Sequence, residues 1–305
     1  MPSKSEIQQD ILKSIDDAVD GFNKSVPDIE KDLTARINNI IKGLDTGSDG
    51  SIKTTISNLK KMQSIQREME RAFESDEYLK QVESFTSSYD AIANLETDYF
   101  GKVLKEFAEP SIMPEIKAQS IKTVTERLTG SNIVANVIEP INELVRQGIE
   151  SGVQWDDLRT SINDFLVGAD GGTGALSRYT TTITNDSLNV YSRTYENIIA
   201  EREGLEWYEY VGRELVDTRD FCLALDSAKW FKKSDIPNLI DGEIKNYKTG
   251  DTKTVPLYKK TGKPHGMKAE TTTDNFVQLC GGWNCAHHAF PVPTELVPDN
   301  IRDNS

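Results

Sequence analysis

The stretch IIAEREGLEWYEYV, Ile198–Val211, holds the change of period on which the fold turns. Before it, Leu176, Ile183, Leu188, Tyr191, Tyr195 and Ile198 mark a helix from 176 to 204, and Gly204 is a residue at which helices stop. From Leu205 onward the pattern alternates and turns aromatic, through Trp207, Tyr208, Tyr210 and Val211, which is the composition of a strand. The chain is helical on one side of this point and sheet-forming on the other.

Upstream, residues 3 to 108 read as helix nearly throughout. Ser3-Lys4-Ser5-Glu6 predicts a capping box, in which a serine hydroxyl and a glutamate satisfy each other's backbone NH groups. Apolar stripes follow at Ile7, Ile11, Ile15, Val19 and Phe22, then at Val26, Ile29, Leu33, Ile37, Ile40 and Leu44. Thr46–Gly50 is a loop by composition. A third stripe runs through Ile52, Ile56, Leu59, Met62, Met69 and Phe73, and a fourth from Leu79 to Val103. Narrow stripes of this kind must be covered by one another or by a partner. Residues 1–110 are therefore expected to form a helical bundle or a coiled-coil arm. Pro110 and Pro114 interrupt the pattern, 111–167 resumes it as a helical connector, and 168–175 is a glycine-rich hinge.

Downstream, Ala228–Phe231 reads as a second strand, and 238–275, rich in Lys, Thr and Gly, as an extended hairpin or mobile loop. The expected class is α+β: a long, mostly helical N-terminal part and a small C-terminal antiparallel-sheet domain. No stretch approaches the roughly 20 apolar residues of a membrane span, and the start lacks a secretory apolar run, so folding in a cytoplasm is expected. The 35 basic residues are outnumbered by 49 acidic ones, for a net charge of -14. Sequence-independent nucleic-acid binding draws on Lys and Arg at phosphates, so coating of DNA is not expected.

All three cysteines lie in the last third, at 222, 280 and 285, near His265, His287 and His288. Three are too few for a disulfide scaffold, which leaves metal ligation or plain burial. Zinc prefers four such ligands in a tetrahedron, and Cys285 with His287 offers two from one turn. The enzyme version of the cluster is a thiol dyad, Cys222 with His287 and Asp217 or Asp226. Nothing in the spacing requires it, and no catalytic residue is expected.

Five pieces in order carry a resemblance. They are Tyr191–Glu196 with its Arg193-Thr194 pair, the strand Trp207–Tyr210, the loop Asp217-Thr218-Arg219-Asp220-Phe221-Cys222, the segment Asp226–Phe231, and Gly282-Trp283-Asn284-Cys285-Ala286-His287 before Pro291-Val292-Pro293. Together they resemble the module of phage minor head proteins of the Mu F type, over about residues 187–293, with 176–305 as the module and 238–275 as an insertion. Leu225 stands where many members carry a second Cys, and Cys285-Ala286-His287 replaces a C-R-C ending. The resemblance implies that Cys222 is brought beside Cys285 and His287 as a zinc group, with His265, Cys280 or His288 as the fourth ligand. It also implies structural roles for Arg193, Asp217, Arg219, Asp226 and Trp283. Asp217 with Arg219 is expected as a loop-fixing ion pair, and Trp283 and Trp230 as core anchors. The function implied is that of a minor capsid protein near the portal vertex, assisting head assembly and the packaging or delivery of the genome. Its partners would be portal or capsid proteins, and packaged DNA only indirectly. Neither a membrane nor a small-molecule substrate is expected.

Overall fold

The computed structural model describes residues 2–214 and 218–304 and is 63% helical, with small antiparallel sheets near the C-terminus, an α+β protein as expected. The helical part comprises α1 (Lys4–Asn23), α2 (Val26–Ile41), α3 (Ile56–Phe73), α4 (Asp76–Val103) and α5 (Met113–Thr129). It continues through α6 (Ser131–Ile133), α7 (Glu139–Ser151), α8 (Trp155–Val167) and α9 (Ala175–Glu203). Then follow β1 (Trp207–Gly212), α10 (Asp220–Ala228), β2 (Trp230–Lys232) and α11 (Ile236–Ile240). Two hairpins, β3 (Glu243–Lys245) with β4 (Thr252–Thr254) and β5 (Leu257–Tyr258) with β6 (Lys263–Pro264), occupy the expected insertion. The chain closes with α12 (Phe276–Leu279), β7 (His287–Val292) and α13 (Asp299–Arg302).

These elements group into two compact units that do not follow chain order. One contains residues 17–87 and 121–184, the other 1–16, 88–120 and 185–305. The chain-order division read from the sequence is thereby replaced. Residues 1–16 and 88–120 belong with the C-terminal sheet instead of forming an arm, and the glycine-rich 168–175 lies inside the helical unit. A stripe tells which face of a helix is apolar but not what covers it.

In the helical unit, α2, α3, α7 and α8 close a ring, α2 and α7 each touching α3 and α8. Leu33, Ile37, Ile65, Phe73, Ile141, Val145, Leu158 and Ile162 fill its centre. Gly148 of α7 lets α8 approach, since a Cβ there would lie 3.0 Å from a Leu158 methyl. Between α6 and α7 a π turn, Val134–Ile138, precedes Pro140. Proline cannot donate to the carbonyl four residues back and crowds it, and a widened turn relieves both. The third stripe needs correcting, because Ile56 is 75% exposed and Leu59 is also exposed. The buried residue of that turn is Asn58, whose side chain accepts from Asp45 N and donates to the carbonyls of Asp45 and Lys53. A polar residue serving a loop occupies the inward position that a purely apolar pattern misses.

In the sheet-bearing unit the strand order is β2-β1-β7, all antiparallel. The predicted capping box forms, with Glu6 N donating to Ser3 Oγ and Ser3 N to Glu6 Oε2. It opens the helix whose Lys4 and Gln8 meet the buried carboxylate of Glu209 on β1. On the Glu209 face, Trp207 packs with Trp230, Tyr247, Val292, Val297 and Ile301. On the other face, Tyr208 stacks on Phe231 and Tyr210 on His287. Tyr99 of α4 anchors β7, its hydroxyl donating to Pro291 O at 3.0 Å. Residues 220–228 form helix α10, where the sequence reading placed only a loop and the approach to a strand. Phe221, Cys222, Ala224, Leu225 and Ala228 bury one face of it. No helix of the described residues is long and apolar enough to cross a membrane.

Candidate metal centre

Three side chains, two from α9 and one from the N-cap of α10, converge on one turn, Gly281–His287. From α9, the Arg193 guanidinium donates to Cys285 O at 2.5 Å and His287 O at 2.6 Å. From the N-cap of α10, Arg219 donates to Gly281 O at 3.2 Å and to Trp283 O at 2.5 Å. A third hold comes from Asp186 of α9, which accepts from Asn284 N at 2.8 Å and from Lys268 Nζ at 3.1 Å. Charged donors on carbonyls and carboxylates are the stronger class of hydrogen bond. The turn needs them, because Cys280 and Asn284 both sit at positive φ.

This clamping brings together Cys222 in the first turn of α10, Cys285 in the turn, and His287 at the start of β7. Their ligand atoms all lie within 4.8 Å of one another, and each residue is at most 3% exposed. The two sulfurs are 3.9 Å apart, against the roughly 3.8 Å that tetrahedral geometry and zinc–sulfur bonds of about 2.3 Å require. His287 Nε2 is buried without a hydrogen-bond partner, which is costly for a polar atom unless something else takes its lone pair or proton. Two glycines make the room. A Cβ at Gly281 would lie 2.4 Å from Cys222 Sγ, and one at Gly212 would lie 2.2 Å from the His287 ring. The residues therefore fit a zinc ion held by two sulfurs and one imidazole nitrogen.

The thiols are unequal. The hydrogen bond from Cys222, helped by His287 and Arg193 against the cost of burial, holds the Cys285 thiol well below its usual range. That same bond, together with burial, pushes Cys222 up. Cys285 is therefore the more readily ionised of the two sulfurs, and Cys222 the one that favours its neutral thiol. Asp226 is half-buried, its carboxyl raised by burial and lowered by the nearby His287. Asp217 lies outside the described residues.

The alternative ligands are engaged elsewhere. Cys280 donates to Val277 O at 3.3 Å, and burial pushes its thiol up to about 12. His288 uses both ring nitrogens, toward Glu196 and Asn189 at 2.9 Å each. His265 is exposed, edge-on to Tyr258. Trp230 is buried as expected, but Trp283 is 50% exposed and is corrected from core anchor to surface lid. Lys268 Nζ lies 3.8 Å from its ring centroid, a cation–π contact that holds the ring flat over a salt bridge. Asp186 and Lys268 were not among the residues singled out from the sequence, where no local pattern marks a pair 82 positions apart.

The purified chain is expected to bind zinc with a marked dependence on Cys285 and little on Cys280. Outer-shell residues alone are worth about 10–100-fold in metal affinity, so Cys285→Ser should lose more than that while Cys280→Ser stays near the parent. Competition against a chromophoric chelator measures both, and equal affinities for the two variants would remove the assignment.

Comparison with known proteins gave no match: no family model fits the chain, and neither a curated protein nor a solved structure is significantly similar to it.

Proposed function

We propose that the chain is a structural minor head protein of a tailed phage, acting by docking near the portal vertex, with a C-terminal module clasped by zinc. The observation that carries this reading is the convergence of three of the five resembling segments. Arg193 on one piece, and Arg219 with Cys222 on another, each meet the turn from Gly282 to His287 through a hydrogen bond or within the ligand group. A motif resemblance arising by chance carries no requirement that its pieces touch.

In this role Cys222, Cys285 and His287 hold the metal. The metal supplies a cross-link among α10, the turn and β7, which a small sheet domain needs for rigidity. Arg193 and Arg219 orient the turn, and no catalytic step is involved. The net charge of -14 suits contact with portal or capsid protein more than direct contact with DNA. The protein would be found in the particle and, during assembly, in the host cytoplasm.

A zinc hydrolase in the same module is the second reading, favoured by a cleft of about 140 Å³ beside the ligand group. Against it, the cleft is lined by Arg213, Thr218, Arg219, Asn284, Ala286 and the three ligands, with no carboxylate among the described residues to act as general base. Co-purification of the tagged chain with the portal protein encoded beside it, followed by mass spectrometry of intact particles, separates the readings. Low-copy presence in particles together with portal binding is the expected result. Absence from both would sink the virion reading.

A further inference from the structure

We propose that the metal held by Cys222, Cys285 and His287 keeps one coordination position open to the adjoining cleft, and that this position takes an oxygen anion, the oxygen of a carboxylate or a phosphate. The inference rests on the metal centre described above and extends it to a ligand.

The first support is the ligand count. Zinc takes four ligands in a closed structural site and keeps a position open when the protein supplies three. Among the described residues the group contains three, and every remaining Cys and His is accounted for. The Cys280 thiol is turned to the Val277 carbonyl, His288 spends both nitrogens inside the core, and His265 stands exposed against Tyr258.

The second support is where the three ligands face. Cys222, Cys285 and His287 all line the cleft, so a metal bound among them is reached from it. His287 Nε2 is the unpartnered buried atom on that wall. The cleft's volume of about 140 Å³ leaves room for a group larger than one water molecule.

The third support is charge. Two thiolates and a neutral imidazole cancel the two charges of zinc, so the sign at the open position is set by the rim. The rim carries Arg219 and Arg213 with the neutral donors Thr218 and Asn284, and no acidic side chain among the described residues lines it. Arg213 is paired with Asp16 at 3.1 Å, whereas among the described residues Arg219 bonds uncharged carbonyls there. The cleft also lies at the start of α10. Its N-cap, Arg219, makes no side-chain cap, so first-turn NH groups add to the positive end. A cation would meet like charge, and a neutral group would leave the rim's charge uncompensated; an oxygen anion meets a metal, an arginine and a helix N-terminus together.

Cobalt(II) loaded in place of zinc tests this on the full chain, because two separate absorption features report two separate facts. Thiolate-to-cobalt charge transfer reports that the metal is bound by cysteine, and the visible ligand-field bands report the fourth ligand. With cobalt in place, titration with acetate and separately with inorganic phosphate is expected to shift the ligand-field bands saturably while charge transfer persists. A response to acetate alone assigns the site to carboxylates, and a response to phosphate alone to phosphates. The exposed Arg213 allows a mild variant: Arg213→Gln should weaken the anion by roughly twofold to fivefold, the range of a surface charge contact, with cobalt affinity unchanged. Ligand-field bands indifferent to both anions would overturn the open position while leaving the metal centre intact. Absence of the charge-transfer band would remove the metal centre itself and this proposal with it.

Discussion

Arg193→Met is expected to destabilise the sheet-bearing unit by about 3–5 kcal/mol, since it removes two buried hydrogen bonds from a charged donor at roughly 1.5–3 kcal/mol each. Its melting transition should then fall by roughly 10 °C or more. The side chain is fully enclosed and gives both of its strong bonds to the turn that carries Cys285 and His287. Although burial works against the charge, Cys280, Cys285, Tyr210 and Glu196 outweigh it and hold the guanidinium above its usual range. Methionine preserves length and apolar bulk but leaves two buried carbonyls unpaired and the Cys285 sulfur without its neighbouring cation. Arg193→Lys keeps the charge and can donate twice, as Nη2 does, but its shorter side chain places the ammonium less well, and an intermediate loss is expected. Trp207, Trp230 and Trp283 lie in this unit and Trp155 in the other. Urea unfolding followed by near-ultraviolet circular dichroism therefore reads mainly the right transition. A loss below about 1 kcal/mol for methionine, within the ordinary spread of single substitutions, would mean that the turn is held by other contacts.

The second large effect concerns pH. A chain of polar groups runs through the core of the same unit: Ser192, Glu96, Glu196, His288 and Asn189, all buried. Asn189 commits its NH₂ to Asn185 O, which leaves its carbonyl oxygen toward His288 Nε2. Nε2 must then carry the ring proton, and Nδ1 accepts. His288 is neutral, since burial and the Arg193 charge hold it well below its usual range. Glu196 Oε1, 2.9 Å from Nδ1, must therefore donate, so Glu196 is protonated. Its other oxygen and Glu96 Oε2 are buried acceptors without partners unless a proton lies between them. Ser192 donates to Glu96 Oε1. The geometry thus places protons on both carboxyls. Burial, above all, raises both acids, Glu196 up to about 8 and Glu96 well above the carboxylate range, where the Glu196 charge adds to it.

In the unfolded chain these acids ionise near 4.5. Between that value and about 8 the native state holds protons that the unfolded state has released. Their contribution is fully present below about 4.5 and is lost as pH rises toward 8. The expected fall in stability across this window is on the order of a few kcal/mol. Glu196→Gln should flatten it, because the amide NH₂ donates to His288 Nδ1 without a titrating proton. The variant is expected to be more stable than the parent at pH 8 and close to it at pH 5. Glu209 works the other way: Lys4, Gln8 and Lys229 outweigh its burial and lower its carboxyl, so its contribution is lost as the medium acidifies through its folded value. Thermal melts of parent and variant from pH 4.5 to 8.5 provide the measurement. A parent curve that rises with pH across the window, or a variant less stable at pH 8, would refute the protonated chain.

Local pattern alone determined the helices up to Gly204, the capping box at Ser3, the switch to strand after Gly204 and the class of the fold. Each of these depends on residues a few positions apart, whose spacing and backbone preferences are written in order along the chain. The sequence also pointed, through the resemblance, to Cys222, Cys285 and His287 as candidate ligands and left Cys280, His265 and His288 open as a fourth, because composition does not say which thiol faces a carbonyl. Only the tertiary structure decided that Cys280 turns to Val277, that Trp283 lies on the surface over a buried lysine, and that α10 is a helix. It alone paired Lys4 with Glu209 across 205 positions and Glu196 with His288 across 92. The reason is physical. A buried polar group is tolerated only with a partner, and that partner is selected by three-dimensional packing. Apolar periodicity needs only a neighbouring turn of the same helix to be recognised, whereas a buried charge is defined by a residue that can lie anywhere in the chain.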